Sequence, residues 1–317
     1  MGAVAAPAVH RELFGSACGA PVERYTFDTG PMQVSILSPG GILHSVRVPD
    51  RDGRPADVIL ALADPVDHAT AGPHLIIDGG GAPGSDAATA GSGTWTGEPF
   101  VDGDRLGLRL ACADPADGVR RAVTYTLHGT EIRIDRAAEA DAPAVLQPSG
   151  QVLFNLAGEG SGSVEEHELY IDAGHYTPVD PTRAPTGRID PVAGTPLDFT
   201  RPTPIGARLR EDFVQLVLAR GYDHTYLLDR AGPGSCLAAR VAEPRGGRRL
   251  SVFTTGPCLR FYSGNLLDGT LAGARGRAYR QGDGFSLETQ LPSTVLRPGE
   301  VHRGSTVYRF DLLSAGA

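Results

Sequence analysis

A strand-like segment, Phe285–Gln290, carries a carboxylate, Glu288, in apolar surroundings. Phe285, Leu287 and Leu291 flank it, and Pro292 follows. Burial raises the pKa of a carboxylic acid, and a raised pKa suits a general base that works near neutral pH. Glu288 is therefore the first candidate for chemistry. The competing interpretation is an ordinary strand glutamate that faces water.

Eight further short motifs lie upstream of the segment around Glu288. Together with it they are Phe154-Asn155-Leu156-Ala157-Gly158, His167-Glu168-Leu169, Tyr176-Thr177-Pro178-Val179-Asp180, Pro185-Thr186-Gly187, the run from Pro191 to Phe199, Ile205-Gly206, Gly221-Tyr222-Asp223-His224, Phe261-Tyr262-Ser263-Gly264-Asn265 and Leu287-Glu288-Thr289-Gln290. In content and order they resemble the aldose 1-epimerase (galactose mutarotase) family. The resemblance implies an all-β fold, a large antiparallel β-sandwich.

The resemblance also implies roles for single residues. In sugar mutarotation a base takes the proton of the anomeric hydroxyl while an acid protonates the ring oxygen. Glu288 matches the family's base, and Asp223 matches the carboxylate that grips sugar hydroxyls. Where the family has the acid histidine of its His-Ser-Tyr-Phe-Asn-Leu motif, this chain has Gln151. An amide cannot deliver a proton, so a rate factor of about 10²–10⁴ is lost unless another group supplies it.

Five side chains are candidates for the substrate-binding wall of the cleft: Gln151, Asn155, His224, Tyr262 and His74. His224 has two interpretations, a ring packed beside Asp223 or a replacement acid. Tyr262 has two as well, a cleft residue or a sheet-packing residue. The family's sugar-binding arginine aligns near Ser85 or Asp86, and its histidine-bearing insert is missing before Trp95. A missing insert implies an open cleft and a substrate larger than a hexose.

The order of strand and turn signals predicts one sandwich domain over residues 24–317, preceded by a partly ordered arm over residues 1–23. Alternating apolar residues separated by turn residues predict antiparallel hairpins. The segments concerned are Met32–Leu37 with Ile42–Val48, Val123–Leu127 with Ile132–Ile134, a buried strand at Val58–Leu62, and a short helix or turn within Arg208–Leu218.

Composition excludes several function classes. A net charge of −8 argues against nucleic-acid binding. All 29 basic residues are arginine, so no lysine amine is present for Schiff-base chemistry. The 4 cysteines lack zinc-site spacing, and we expect neither a metal nor a cofactor. No apolar run is long enough to cross a membrane, and no secretory signal is evident, so we expect a cytoplasmic location. We expect a monomer or a homodimer.

Three functions remain open. The first is an isomerase or cyclase that uses Glu288 on a hydroxylated or hemiacetal-type small molecule, an intermediate of specialised metabolism. The second is an ordinary aldose 1-epimerase with a substitute acid. The third is a carbohydrate-binding protein without catalytic activity.

Overall fold

The structure, a computed structural model, describes residues 8–17, 19–62, 95–114, 118–146, 151–230, 234–290 and 294–314. These residues form mainly β-strands. In chain order the strands are β1 (Ala8–Ala17), β2 (Ala20–Asp28), β3 (Gln33–Leu37), β4 (Ile42–Pro49), β5 (Pro55–Asp57), β6 (Trp95–Asp102), β7 (Arg105–Asp114), β8 (Val119–His128), β9 (Glu131–Ala140), β10 (Ala144–Leu146), β11 (Leu153–Phe154), β12 (Glu168–Ile171), β13 (His175–Thr177), β14 (Asp190–Pro191), β15 (Thr203–Pro204), β16 (Asp223–Leu227), β17 (Cys236–Ala242), β18 (Arg248–Thr254), β19 (Cys258–Tyr262), β20 (Asp268–Ala272), β21 (Ala278–Arg280), β22 (Phe285–Gln290), β23 (Thr294–Leu296) and β24 (Val301–Leu312).

The first five strands form a sheet in sequence order, each antiparallel to the next. The predicted hairpin of β3 and β4 is present, and Gly40 and Gly41 adopt φ values of 65° and 68° in its turn. Strand β1 pairs with β2 over most of its length. The expected partly ordered arm is therefore replaced, from residue 8, by a strand hairpin at the edge of this sheet.

The largest sheet has nine strands in the order β15-β12-β17-β18-β24-β9-β8-β7-β6. It contains the second predicted hairpin, β8 with β9. In β8 the side chains of Val123, Tyr125 and Leu127 are buried, as the alternating sequence predicts. Their shared face contributes to the core.

A six-stranded antiparallel sheet, in the order β11-β22-β19-β16-β13-β14, completes the main architecture. One continuous apolar cluster joins it to the other two sheets. The cluster includes Phe27 from the first sheet, Leu127 from the nine-stranded sheet and Phe261 from the six-stranded sheet. The predicted class, a large antiparallel β-sandwich, is confirmed.

Two local predictions have different outcomes. Val58–Leu62 is buried, but it is not a regular strand, because it makes only isolated bridges through Ile59 and Leu62. A short helix, α1 (Val214–Ala219), does form where a short helix or turn was expected. Within the described residues no helix is long and apolar enough to span a bilayer.

A buried arginine of the nine-stranded sheet, Arg248, forms hydrogen bonds with the first sheet. The guanidinium of Arg248 donates to the carbonyl oxygens of Val48 (3.1 Å), Leu156 (3.0 Å) and Arg54 (2.8 Å). Its side chain is only 5% exposed, and a carboxylate oxygen of Asp50 lies 3.9 Å from its Nη2. Val48 and Arg54 belong to the β4–β5 hairpin, whereas Leu156 follows β11, so Arg248 cross-links two segments that are far apart in the chain, through two buried hydrogen bonds and one part-buried one.

We expect Arg248→Met to lower the free energy of unfolding by about 3 kcal/mol or more, because two buried carbonyls and one part-buried carbonyl lose their charged donor. The control is Arg249→Met on the same strand. Arg249 pairs with Asp311 while 30% exposed, so its loss should cost about 0–1 kcal/mol. Urea denaturation of both variants measures the difference, and equal losses would contradict the role given to Arg248.

Candidate active site

The candidate site lies on three neighbouring strands of the six-stranded sheet, β22, β19 and β16. Because side chains alternate along a strand, Phe285 and Leu287 enter the core while Glu288 lies on the other face. The register places Arg260 of β19 directly opposite Glu288. It places Tyr262 opposite Asp223 of β16. Residues from three separate motifs thus share one face.

Arg260 lies between the two carboxylates. Its Nε is 2.7 Å from Oδ1 of Asp223, and its Nη1 is 3.8 Å from Oε2 of Glu288. The side chains are 39% exposed for Arg260, 12% for Asp223 and 3% for Glu288. The guanidinium is therefore the most accessible of the three groups, and Glu288 is the most buried.

The surroundings of Glu288 shift its ionisation. Burial raises the pKa of this carboxyl, and the negative charge of Asp223 raises it further. The charge of Arg260 and a hydrogen bond from the Ser286 hydroxyl at 3.4 Å act in the opposite direction but do not cancel the effect. The net result is a glutamate whose pKa lies above its usual value, as the sequence led us to expect.

An open cavity of about 750 Å³ adjoins this face. It is lined by Gln151, Thr182, Arg183, Arg220, Asp223, Arg260, Tyr262, Asn265, Leu266, Leu267, Asp268 and Gln281. Gln151, Asp223 and Tyr262 are thus brought together as the sequence analysis expected. Glu288 is not in the lining, and it meets the cavity wall through its contact with Arg260.

The Tyr262 hydroxyl is a candidate proton donor. Its oxygen accepts the backbone N–H of Leu266 at 2.8 Å, and among the described residues no side chain or carbonyl accepts its O–H. Burial raises the pKa of Tyr262 to about 12, so the phenol is neutral at physiological pH. By contrast, the Thr182 hydroxyl already donates to Asp180 at 2.6 Å.

Comparison with known proteins agrees with the motifs and the sheet order. A family model described as Aldose 1-epimerase matches residues 118–309. The galactose mutarotase of Sus scrofa is 32% identical over 352 aligned residues that cover 96% of this chain and 99% of that protein. The galactose mutarotase of Homo sapiens is 31% identical, with 96% of this chain and 99% of that protein covered.

The chain belongs to the aldose 1-epimerase family.

Solved structures support the fold of this family member. The galactose 1-epimerase from Lactobacillus acidophilus superposes with a TM-score of 0.80 at 23% identity, over 96% of this chain and 99% of that one. A GalM/aldose epimerase homologue from C. elegans superposes with a TM-score of 0.73 at 19% identity, over 98% of this chain and all of the other. At these identities the likeness establishes the fold alone.

Two of the expected substrate-binding residues lie away from the cavity of this epimerase-family site. Asn155 is fully buried, and its amide donates to the carbonyls of Gly162 (2.7 Å) and Asp283 (2.9 Å). Its carbonyl oxygen accepts the N–H of Ala157 at 3.1 Å. These bonds occupy its polar atoms with backbone partners, so the expectation that Asn155 binds substrate is corrected to a structural role.

His224 is corrected for a different reason. It follows Asp223 in β16, so alternation points it to the opposite face of the sheet. There its Nε2 lies 3.2 Å from Oε1 of Gln215, and its ring contacts Tyr176 edge to face. Burial lowers the pKa of His224 to about 4, so it is a neutral core residue. The packed interpretation is the one the geometry supports.

Other sequence candidates cannot be compared in this way. His74 and the loop positions Ser85 and Asp86 lie outside the described residues. Over the part of the chain that the structure does describe, no group of three or more His, Cys, Asp or Glu side chains is placed to hold a metal ion.

Three arginines in the cavity lining, Arg183, Arg220 and Arg260, were not predicted from the sequence. Arg260 had a usable signal, since a charged residue interrupts the otherwise apolar strand Cys258–Tyr262. Arg183 and Arg220 had none. They are the non-glycine residues with positive φ in the described chain, at 68° and 58°. Each such conformation costs about 1–3 kcal/mol, and such residues concentrate at functional sites.

We expect Glu288→Gln to change how stability depends on pH. Because the folded pKa of Glu288 is raised, the folded protein holds this proton at pH values where the unfolded chain, with a pKa near 4.5, has released it. Wild-type stability should therefore fall as pH rises from about 4.5 through the folded pKa. The variant lacks this fall, so its stability relative to wild type should grow across that window and then level off.

Chemical denaturation at a series of pH values measures this difference. The control is Glu168→Gln, an exposed glutamate on β12. It should follow the wild type. A Glu288→Gln curve parallel to wild type at every pH would show that Glu288 has no raised pKa.

Proposed function

We propose that this protein is an isomerase that opens and recloses a cyclic hemiacetal in a sugar or similarly hydroxylated small molecule. Glu288 is the general base of this reaction. The observation that carries the proposal is the buried glutamate, with its pKa raised, next to an open cavity and linked through Arg260 to the hydroxyl-binding carboxylate Asp223. Membership of a family of epimerases supports the same reaction class.

Glu288 and Asp223 can each accept a hydrogen bond from a substrate hydroxyl. The 3.8 Å separation between Arg260 and Glu288 is longer than a hydrogen bond, so the carboxylate keeps acceptor capacity for a substrate hydroxyl. Asp223, fixed by Arg260 at 2.7 Å, presents its carboxylate at the cavity wall, and Glu288 lies beside the same guanidinium without lining the cavity. A polyhydroxylated substrate can then donate one hydroxyl to each.

Ring opening also requires a proton donor. Glu288 takes the proton of the anomeric hydroxyl, the bond between that carbon and the ring oxygen breaks, and the ring oxygen takes a proton from the free O–H of Tyr262. When the ring closes on the other face of the carbonyl, the ring hydroxyl returns its proton to Tyr262, and Glu288 returns its proton to the carbonyl oxygen. Gln151 can orient the substrate by hydrogen bonds but cannot exchange a proton. Tyr262 is thus the substitute for the missing acid histidine.

The identity of the substrate has two candidates. A cavity of about 750 Å³ is in the range that encloses drug-sized ligands, which supports an intermediate of specialised metabolism larger than a hexose. The named relatives, which are galactose mutarotases, support ordinary sugar mutarotation equally well. A carbohydrate-binding protein without activity has less support, because hydroxyl binding alone does not require a buried base.

We expect Glu288→Gln to lower the rate of anomer exchange by about 10²–10⁴-fold, because the amide keeps the size of the side chain but removes the base. Tyr262→Phe should lower it as well, since the proton donor is lost. Polarimetry and exchange-sensitive NMR on galactose, glucose and larger hydroxylated hemiacetals measure the rates, with Glu168→Gln as a control at the wild-type rate. A Glu288→Gln variant as fast as wild type would refute catalysis by this residue.

Arg260 and Asp223 should move the acidic limb of the pH-rate profile in opposite directions. The charge of Arg260 lowers the pKa of Glu288, so Arg260→Gln should shift the limb to higher pH. The charge of Asp223 raises that pKa, so Asp223→Asn should shift the limb to lower pH. Shifts in the same direction, or none, would show that Glu288 is not the group that titrates. Rates at saturating substrate keep lost affinity from obscuring the result.

A further inference from the structure

The cavity lining carries two arginines with no assigned role, Arg183 and Arg220. Both are exposed, and within the described residues neither guanidinium has a hydrogen bond or ion pair. The third lining arginine, Arg260, differs from them because it is held by Asp223 and Glu288. The positive charge of Arg183 and Arg220 is thus available to a ligand in the cavity.

Nearby carboxylates are engaged elsewhere. Asp223 is paired with Arg260 at 2.7 Å. An oxygen of Asp268 accepts the backbone N–H of Thr270 at 3.0 Å and its hydroxyl at 2.6 Å. Arg183 is close enough to the site for its charge to oppose the burial that raises the pKa of Tyr262.

The backbone holds both arginines in place. Arg183 lies in a turn whose N–H groups at Thr182 and Ala184 donate to the Asp180 carboxylate, at 2.8 and 3.1 Å. Arg220 ends α1 in a left-handed conformation, and its carbonyl accepts a hydrogen bond from Gln281 at 3.2 Å. Glycine and asparagine are the residues that suit such backbone geometry. A long cationic side chain occurs at both positions instead, and both line the same cavity.

We propose that Arg183 and Arg220 form a binding site for an anionic group, a carboxylate or a phosphate, carried by the hydroxylated substrate. Guanidinium groups bind both kinds of anion through paired hydrogen bonds. The substrate is then an acidic sugar or a related acidic hemiacetal, and not a neutral hexose. That the substrate carries this anion rests on the proposed function, whereas binding of an anion at the two arginines is independent of catalysis.

Calorimetric titration with three probes tests the site. The probes are galactose, a hexuronate that carries a carboxylate, and a hexose 6-phosphate. At about 50 mM salt we expect at least one acidic probe to bind ten- to hundredfold more tightly than galactose, the gain of a charge-assisted contact. The advantage should shrink at about 500 mM salt, because ions screen exposed charges. The acidic probe that binds more tightly identifies the anion as carboxylate or phosphate.

Asparagine variants separate charge from folding. Arg183→Asn and Arg220→Asn remove the guanidinium while placing a residue that tolerates positive φ, so their melting temperatures should not fall. Each should weaken binding of the acidic probe by about tenfold or more. The matched control is Arg303→Gln, an exposed arginine of β24 outside the cavity, which should bind like wild type.

The outcomes distinguish this site from the proposed catalysis. Equal affinity for neutral and acidic probes, no binding of either acidic probe at millimolar concentration, or unchanged affinity in the double asparagine variant would overturn the anion site even if Glu288→Gln abolished turnover. Conversely, tight binding of an acidic probe by wild type and Glu288→Gln, with turnover of none of the probes by either, would support the anion site and contradict the proposed isomerase.

Discussion

The buried carboxylate of Glu288 is the constraint on which the site depends. Removing a charge from water is costly, so a side chain that is 3% exposed either stays protonated or has a cation beside it. Arg260 supplies that cation at 3.8 Å, while its closer contact is with Asp223 at 2.7 Å. Because these contacts are unequal, the negative charge of Glu288 is only partly compensated. Burial therefore raises its pKa, and the positive charge of Arg260 limits the rise.

Strand register is what makes this arrangement possible. Glu288 pairs with Arg260, and Tyr262 pairs with Asp223, because β22, β19 and β16 are neighbours in an antiparallel sheet. A slip of one residue would send Glu288 into the core and Leu287 onto the face beside Arg260. The apolar residues between the polar ones therefore fix the site as firmly as the polar residues do, since burying Phe261 and Leu287 on one face sets the register for the other.

Much of this was accessible from the sequence, and the exceptions have physical causes. Alternation predicted the hairpins, and the motifs singled out Glu288 and Asp223, two carboxylates that the structure places beside one guanidinium. Strand parity within β16 also decides the orientation of His224, because that residue follows Asp223 and lies on the opposite face. Arg183 and Arg220 lie in a turn and at a helix end, and their approach to one cavity depends on contacts between distant segments that no local pattern records.

The charges around the cavity are unevenly distributed. Carboxylates lie on the sheet face, where Asp223 and Glu288 are held by Arg260, while the uncompensated cations Arg183 and Arg220 are exposed. An acidic substrate in such a field has one favoured orientation, with its anion toward the two arginines and its hydroxyls toward the carboxylates. A neutral sugar gains no orientation from these charges. The anion would also repel the ionised form of Glu288, so its pKa would rise when substrate binds and its proton affinity would be greatest in the complex that reacts.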